Sequence, residues 1–303
     1  MLSMETLEHC PVCDGTALRR LLTAPDYESH TGEYSIVECG GCGVAFTNPR
    51  PLEAELPKLY AQRSTADFPQ MGGLTQRLRD YAIDRYLASQ LRAGPAPGNT
   101  PFAALDYGCG DGALTRGLIR FGAARASPVH VTAVDFHDVA PSSLVGAGSV
   151  VAYQSNSAWH ANRGRYDAIF LRHVLEHHPR PMRLLGELAT ALVSGGRLFI
   201  EVPNRRSVWA RIFRHAYSGY YLPRHLLHFD EASLLGTLER AGLDAVRVDR
   251  AHTPLIGRSL GYLTGWNIGN TGPLGLASYP LQVGLDALFY RSSTLRAVGT
   301  CRG

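Results

Sequence analysis

Lysine is all but missing from this chain of 303 residues: Lys58 is the only one, and arginine carries the rest of the positive charge. A strong charge imbalance is missing too. The formal net charge is +4, too small to make the whole chain a nucleic-acid binder. No run approaches the roughly 18 apolar residues that a membrane-spanning helix needs. The first residues are polar and a cysteine pair begins at Cys10, so no secretory leader is expected and the chain reads as cytoplasmic. What is present is an ordinary globular composition, 45% hydrophobic and 18% charged. It allows one large domain or two unequal ones.

Four of the six cysteines form two CxxC pairs, Cys10/Cys13 and Cys39/Cys42. In a reducing compartment such pairs are more often metal sites or redox motifs than disulfides. Glycine follows each pair, Gly15 after Asp14 in the first and Gly43 in the second. A glycine there permits positive φ and turns backbone amides toward the sulfurs. Four thiolates suit a closed tetrahedral zinc site, which is structural because it keeps no open position. Strand-like pieces at Ala17–Leu22, Glu33–Val37 and Val44–Phe46 complete a zinc-ribbon pattern over residues 1–50. So small a segment buries too little core to fold unaided, and the metal would make up the difference.

A linker and a helix are expected over residues 51–98. Leu74, Leu78 and Tyr81 share a face of a helix expected from Leu74 to Leu91. Gly94–Gly98, with two prolines, breaks it. From Phe102 onward strands and helices alternate, the mark of an α/β sheet, and one domain is expected over residues 99–303. Strands are expected at Ala103–Asp106, Val129–Val134, Val150–Tyr153, Tyr166–Leu171, Arg197–Val202 and Leu243–Val248, with a last one inside Thr294–Thr300. Helices are expected near Gly112–Phe121, Met182–Val193 and Asp230–Ala241, the last with Asp230 as N-cap and Gly242 as stop.

The first of these strands runs into Asp106-Tyr107-Gly108-Cys109-Gly110-Asp111-Gly112. Its glycines let backbone approach a ligand at a helix start. Dinucleotide enzymes use a similar turn, but two details favour S-adenosylmethionine. The spacing is Gly-x-Gly-x-Gly, and Asp106 stands where it would repel a pyrophosphate. Asp106 suits the ligand's amino group instead. Asp135, at the end of the second strand, suits the ribose hydroxyls of either cofactor.

Leu105–Gly112, Val131–Phe136, Tyr166–His178 and Ser194–Asn204 resemble the successive signatures of class I S-adenosylmethionine-dependent methyltransferases. The zinc ribbon in front is similar to that of a bacterial branch that includes sugar methyltransferases. The resemblance implies a Rossmann-like sheet of seven strands with the last one antiparallel. It implies that Asp106, Gly108, Cys109, Gly110, Gly112 and Asp135 hold the cofactor, with Phe136 beside the adenine. The acid often found after the third strand is replaced here by Gln154-Ser155-Asn156.

Methyl transfer to a hydroxyl needs a positioned nucleophile and a base. The fourth strand leads into Arg172-His173-Val174-Leu175-Glu176-His177-His178, at the sheet edge where α/β ligands bind. Histidine titrates near neutrality, so His177 is the first candidate base and His173 the second. Relatives of ubiquinone synthesis and small-RNA 2′-O-methyltransferases imply another option: Glu176, His177 and His225 or His228 would hold a divalent metal, with His173 where those enzymes have an acid.

Arg205–Phe229 holds five arginines and no acid, interleaved with aromatics. It is expected to be a lid, and three readings stand: a site for an anionic substrate, a contact with an anionic membrane surface, or a solvated basic helix packed by its aromatics. Residues 253–290 form an apolar, glycine-rich insertion that would close the acceptor pocket, meet a second subunit or touch lipid. The expected activity is methylation of a small-molecule hydroxyl on a sugar or other secondary metabolite. The alternatives are a lipid-linked quinone-type phenol, RNA, or a non-catalytic ribbon-based interaction protein.

Overall fold

The computed structural model describes residues 2–60, 73–91, 101–125, 129–146, 151–270 and 272–301. The Gly94–Gly98 breaker, the linker at 61–72 and Val150 lie outside the described residues. In chain order the elements are β1 (Met4–Glu5), β2 (Leu18–Pro25), β3 (Glu33–Cys39), β4 (Ala45–Thr47), β5 (Arg50–Pro51), α1 (Leu56–Tyr60) and α2 (Gly73–Gln90). Then come β6 (Phe102–Tyr107), α3 (Ala113–Ala124), β7 (Val129–Asp135), β8 (Val151–Ser155), β9 (Tyr166–Arg172), α4 (Pro181–Ala191) and β10 (Leu192–Pro203). The chain ends through α5 (Val208–Phe213), β11 (Leu227–His228), α6 (Glu231–Arg240), β12 (Leu243–Ala251), α7 (Ile256–Thr264), α8 (Pro273–Leu288) and β13 (Thr294–Cys301).

Contacts divide the chain into two units. One comprises Met1–Leu59, His173–Gly186 and Ile200–Gly299; the other comprises Tyr60–Arg172, Glu187–Phe199 and Thr300–Gly303. Three successive stretches were expected instead. The difference arises because the ribbon sheet is not closed by residues 1–50 alone. Its order is β11-β4-β3-β2, and β11 comes from far along the chain, pairing antiparallel with β4 through Leu227–Phe46 and His228–Ala45. A short β4 would otherwise leave its outer backbone groups without partners.

The larger sheet has seven strands in the order β12-β13-β10-β9-β6-β7-β8. β6 pairs in parallel with β7 and β9, and β7 with β8. Ala104, Leu105, Ala168, Ile169 and Phe170 are buried, as parallel strands covered on both faces require. The parallel pairing brings the carboxyl ends of β6, β7 and β9 to one edge.

Two helix expectations need correction. Leu78 and Tyr81 of α2 are 60% and 62% exposed, while Ile83, Tyr86 and Leu87 are buried. The docking face is chosen by a notch on α3: a Cβ at Gly117 would lie 2.5 Å from Ile83 Cγ2. The helix expected to reach Val193 ends at Ala191, and β10 begins at once. Gly195, at φ 74°, lies within β10. Asp230 is the N-cap of α6 as expected, in a reciprocal capping box with Ser233.

Candidate functional site

The cofactor loop grows out of β6. Gly108, Gly110 and Gly112 have φ values of 80°, 54° and 73°, which side chains resist. A Cβ at Gly112 would also stand 2.7 Å from Leu144 Cγ. The Gly108 and Cys109 amides donate to the Val134 carbonyl at 2.7 and 2.9 Å. Asp135 accepts from the Gly110 amide through one oxygen at 2.8 Å and from the Phe136 amide through the other at 2.9 Å. Each oxygen keeps lone-pair capacity for a further donor such as a ribose hydroxyl. Asp106 is 2% exposed and accepts from Thr115 Oγ1 at 2.6 Å. Burial pushes its carboxyl up to about 6, against the opposing pull of Thr115 and Arg172. Phe136 is 45% exposed, an aromatic face at the end of β7. Cys109 packs against Ala133 and Leu144, and burial pushes its thiol up, so it offers the loop backbone rather than sulfur. These groups fit a ligand with a cationic amino group, a ribose and an adenine. Sequence reasoning missed Arg79 of α2, which pairs with Asp111 of the loop through both carboxylate oxygens. No local signal pairs the two.

The second cluster follows β9. His173 has φ 55°, donates its amide to the Glu201 carbonyl at 2.8 Å and sets Nδ1 3.2 Å from Glu176 Oε1. Leu175–His177 form a 3-10 turn. Glu176 is fully buried and its Oε2 has no hydrogen-bond partner. His177 Nδ1 lies 3.0 Å from the Arg224 carbonyl, and His225 Nδ1 lies 2.9 Å from the Gly219 carbonyl. A carbonyl only accepts, so each ring carries its proton on Nδ1 and its lone pair on Nε2. Burial holds His177 below the usual imidazole range, opposed by the Glu176 carboxylate; burial and the neighbouring histidines hold His225 well below it. One ligand atom each of Glu176, His177 and His225 lies within 4.8 Å of the others. Two imidazoles and a carboxylate with an orphaned oxygen suit a divalent cation. His228 stands apart. Its Nε2 lies 3.1 Å from Thr47 Oγ1, and burial and Arg205 push it down to about 3. Of the two later histidines, His225 joins the cluster and His228 serves the ribbon sheet.

The ribbon cysteines also converge. Cys10 and Cys42 Sγ lie 3.5 Å apart, as do Cys13 and Cys39 Sγ. A tetrahedral Zn–S bond of about 2.3 Å implies an edge of about 3.8 Å, so the four sulfurs fit zinc. In the first knuckle the left-handed residue is Asp14, at φ 62°, rather than Gly15. Glycine is needed there for space: a Cβ at Gly15 would lie 3.3 Å from the sulfurs of Cys13 and Cys39. In the second knuckle Gly43 takes φ 74° as expected.

In the arginine-rich segment the aromatics pack inward while Arg206, Arg211 and Arg214 are exposed. Trp209, Phe213, Tyr217 and Phe229 are buried. Arg205 binds Glu38 at 2.8 Å and Asp230 at 2.5 Å. Arg224 donates to the Leu59 carbonyl at 2.9 Å and Ser29 Oγ at 2.6 Å, with Asp26 at 4.0 Å. Both guanidinium groups are buried and engaged by protein, each keeping one nitrogen without a hydrogen-bond partner, Arg205 Nε and Arg224 Nη1.

The methyltransferase-domain family matches residues 76–248. The ubiquinone biosynthesis O-methyltransferase of Aeromonas salmonicida is 36% identical over 108 residues, 33% of this chain and 43% of that protein. That of Xanthomonas axonopodis pv. citri is 30% identical over 152 residues, 46% and 61% respectively. The match therefore spans less than two thirds of either relative. Among solved structures, Burkholderia thailandensis 1,6-didemethyltoxoflavin-N1-methyltransferase, bound to that substrate and S-adenosylhomocysteine, covers 92% of this chain and 100% of its own, at 18% identity and TM-score 0.51. Haemonchus contortus phosphoethanolamine N-methyltransferase 2, in complex with S-adenosyl-L-methionine, covers 94% and 68%, at 16% identity and TM-score 0.51. These two likenesses concern the fold. With the glycine loop, the paired carboxylates and a family match over more than half its length, the chain belongs to the methyltransferase-domain family and is a class I S-adenosylmethionine-dependent methyltransferase.

Proposed function

We propose that this chain moves a methyl group from S-adenosylmethionine to the hydroxyl of a small phenolic acceptor, and that Glu176, His177 and His225 activate that hydroxyl. Asp106 faces the amino group of the methyl donor, Asp135 its ribose and Phe136 its adenine. The acceptor hydroxyl loses its proton as its oxygen attacks the methyl carbon and the carbon–sulfur bond breaks. The observation that carries the reading is the buried Glu176 oxygen without a partner, beside two histidines whose lone pairs are directed by backbone carbonyls. A divalent cation held there would supply Lewis acidity that lowers the pKa of the hydroxyl. Glu176, His177 and His225 orient the acceptor, and His173, which is 35% exposed, stands beside them to take its proton.

A second reading keeps the reaction without the cation: His177 itself is the base. Its lowered pKa favours this, because the ring is neutral and able to accept a proton at neutral pH. Two of the five arginines of this segment, Arg205 and Arg224, are held internally, which weighs against a sugar nucleotide and toward a phenol. The name of the Aeromonas and Xanthomonas relatives supports the same acceptor class.

The test uses a panel of catechols and hydroxylated quinols with labelled S-adenosylmethionine. His177→Ala should lower turnover by about 10²–10⁴-fold with cofactor binding preserved by calorimetry. Unchanged turnover rejects both readings. Dependence on added Mg²⁺, Mn²⁺ or Zn²⁺, weakened in Glu176→Gln, selects the cation; turnover indifferent to them selects the histidine base.

A further inference from the structure

Helix α8 is turned inside out. Gln282 and Asp286 are fully buried, while Leu274, Leu281 and Leu288 are 62%, 60% and 68% exposed, at steps of seven residues along one face. The inward face is pinned by hydrogen bonds. Asp286 accepts from Trp209 Nε1 at 2.7 Å and lies 2.8 Å from His252 Nδ1. Gln282 accepts from the Leu255 amide at 3.0 Å and donates to the Thr253 carbonyl at 2.8 Å. Rotating the helix to hide its leucines would strand those groups, so the leucines stay outside.

Helix α7 continues this surface. It packs on α8 at glycines, where a Cβ at Gly257 would lie 3.0 Å from Gly275 Cα. It is followed by Trp266, 71% exposed, and carries Leu263, 51% exposed. The acid that meets α7, Glu28, accepts from Tyr262 Oη at 2.6 Å and lies 3.6 Å from Arg258. Between residues 252 and 291 the only carboxylate is Asp286, and it faces inward. Arg291 is exposed, as are Arg211 and Arg214 on or beside α5, whose Trp209 and Phe213 share a core cluster with Ile256 of α7. Among the described residues none of these three arginines pairs with a carboxylate. Leucine, tryptophan and arginine with no exposed acid match the acyl boundary and phosphates of an anionic bilayer. A second copy of the chain would bring the same positive rim against itself.

We propose that the α7–α8 hairpin docks on the surface of an anionic membrane, with the α8 leucines at the acyl boundary and the arginines at the headgroups. No helix among the described residues is long and apolar enough to cross a membrane, so this contact is peripheral. It is independent of which acceptor the methyltransferase uses.

The full chain is floated with vesicles of phosphatidylcholine alone or mixed with phosphatidylglycerol, at low and high salt. Binding should need the anionic lipid, weaken with salt, and fall at least about tenfold in Leu281→Glu. Leu274→Gln is the milder companion variant, in case the first disturbs folding by circular dichroism. Trp159 and Trp209 are 6% and 4% exposed, so quenching by brominated lipid reports Trp266. Failure to float with either vesicle overturns the proposal, as does undiminished binding of both variants. A dimer by light scattering that Leu281→Glu splits, with no lipid binding, also overturns it and assigns the face to a second copy.

Discussion

Under the proposed function the buried Asp106 carboxyl meets the cationic amino group of the methyl donor. Burial raises the carboxyl from an ordinary value of 3.8 to about 6, so without ligand its ionisation works against the fold. The sign follows from linkage: its contribution to stability is fully present below its unfolded pKa and is lost as pH rises through about 6. A bound ammonium group reverses the preference and favours the carboxylate. Affinity for S-adenosylmethionine should therefore rise with pH through about 6, with up to about a tenfold change per unit below that value and uptake of the ligand releasing a proton. Calorimetry in two buffers of different ionisation enthalpy measures both. In Asp106→Asn the pH dependence should vanish. A flat affinity between about pH 5 and 7 in the parent chain would mean that Asp106 faces some other part of the ligand.

Among the elements, β4 does more than complete a ribbon. Thr47 donates through Oγ1 to the His225 carbonyl at 2.7 Å and through its amide to the Leu226 carbonyl at 3.0 Å. The Leu226 amide in turn donates to the Glu176 carbonyl at 2.7 Å. The strand pair β4–β11 thus positions two members of the Glu176–His177–His225 cluster. Thr47→Val keeps the volume but leaves the His225 carbonyl and the His228 ring without that hydroxyl. Stability should fall by about 1–3 kcal/mol, and turnover should fall while the affinity for S-adenosylmethionine holds. Thermal unfolding read beside kcat and calorimetry separates the two effects. A less stable variant with full kcat would show that β4 supports the fold without setting the cluster.

For the whole molecule, the zinc ribbon and the histidine cluster belong to one contact unit. Arg205 reaches Glu38 of β3 and Arg224 lies against Asp26 in the loop after β2. Losing the ribbon would take Asp26 from Arg224 and Glu38 from Arg205, which keeps Asp230, at about 3–5 kcal/mol for a broken buried pair. Stripping the ribbon metal, or changing Cys39 to Ser, should lower the unfolding temperature and turnover together. Zinc content by atomic absorption, beside both readouts, checks this; full turnover in zinc-free protein would separate ribbon from catalysis. The parts of this design legible from sequence are local ones. The CxxC spacings, the glycine turn with Asp106 and Asp135, the Asp230 cap and most strands announce themselves because bond geometry and side-chain period act over a few residues. The docking face of α2 was not legible, because Gly117 on another helix chooses it. The roles of Arg205 and Arg224 were not legible either, because Glu38 and Asp26, the acids they meet in the ribbon, come from the opposite end of the chain. Nor was the inverted face of α8, where leucine outside looks like any apolar helix until Asp286 and Gln282 find their partners. Sequence by itself determined the family, the glycine turn after β6 and the four cysteines spaced to suit zinc. Tertiary structure alone decided which charges are consumed, which histidines meet and which apolar face is left over, since each depends on pairing between residues that only folding brings together.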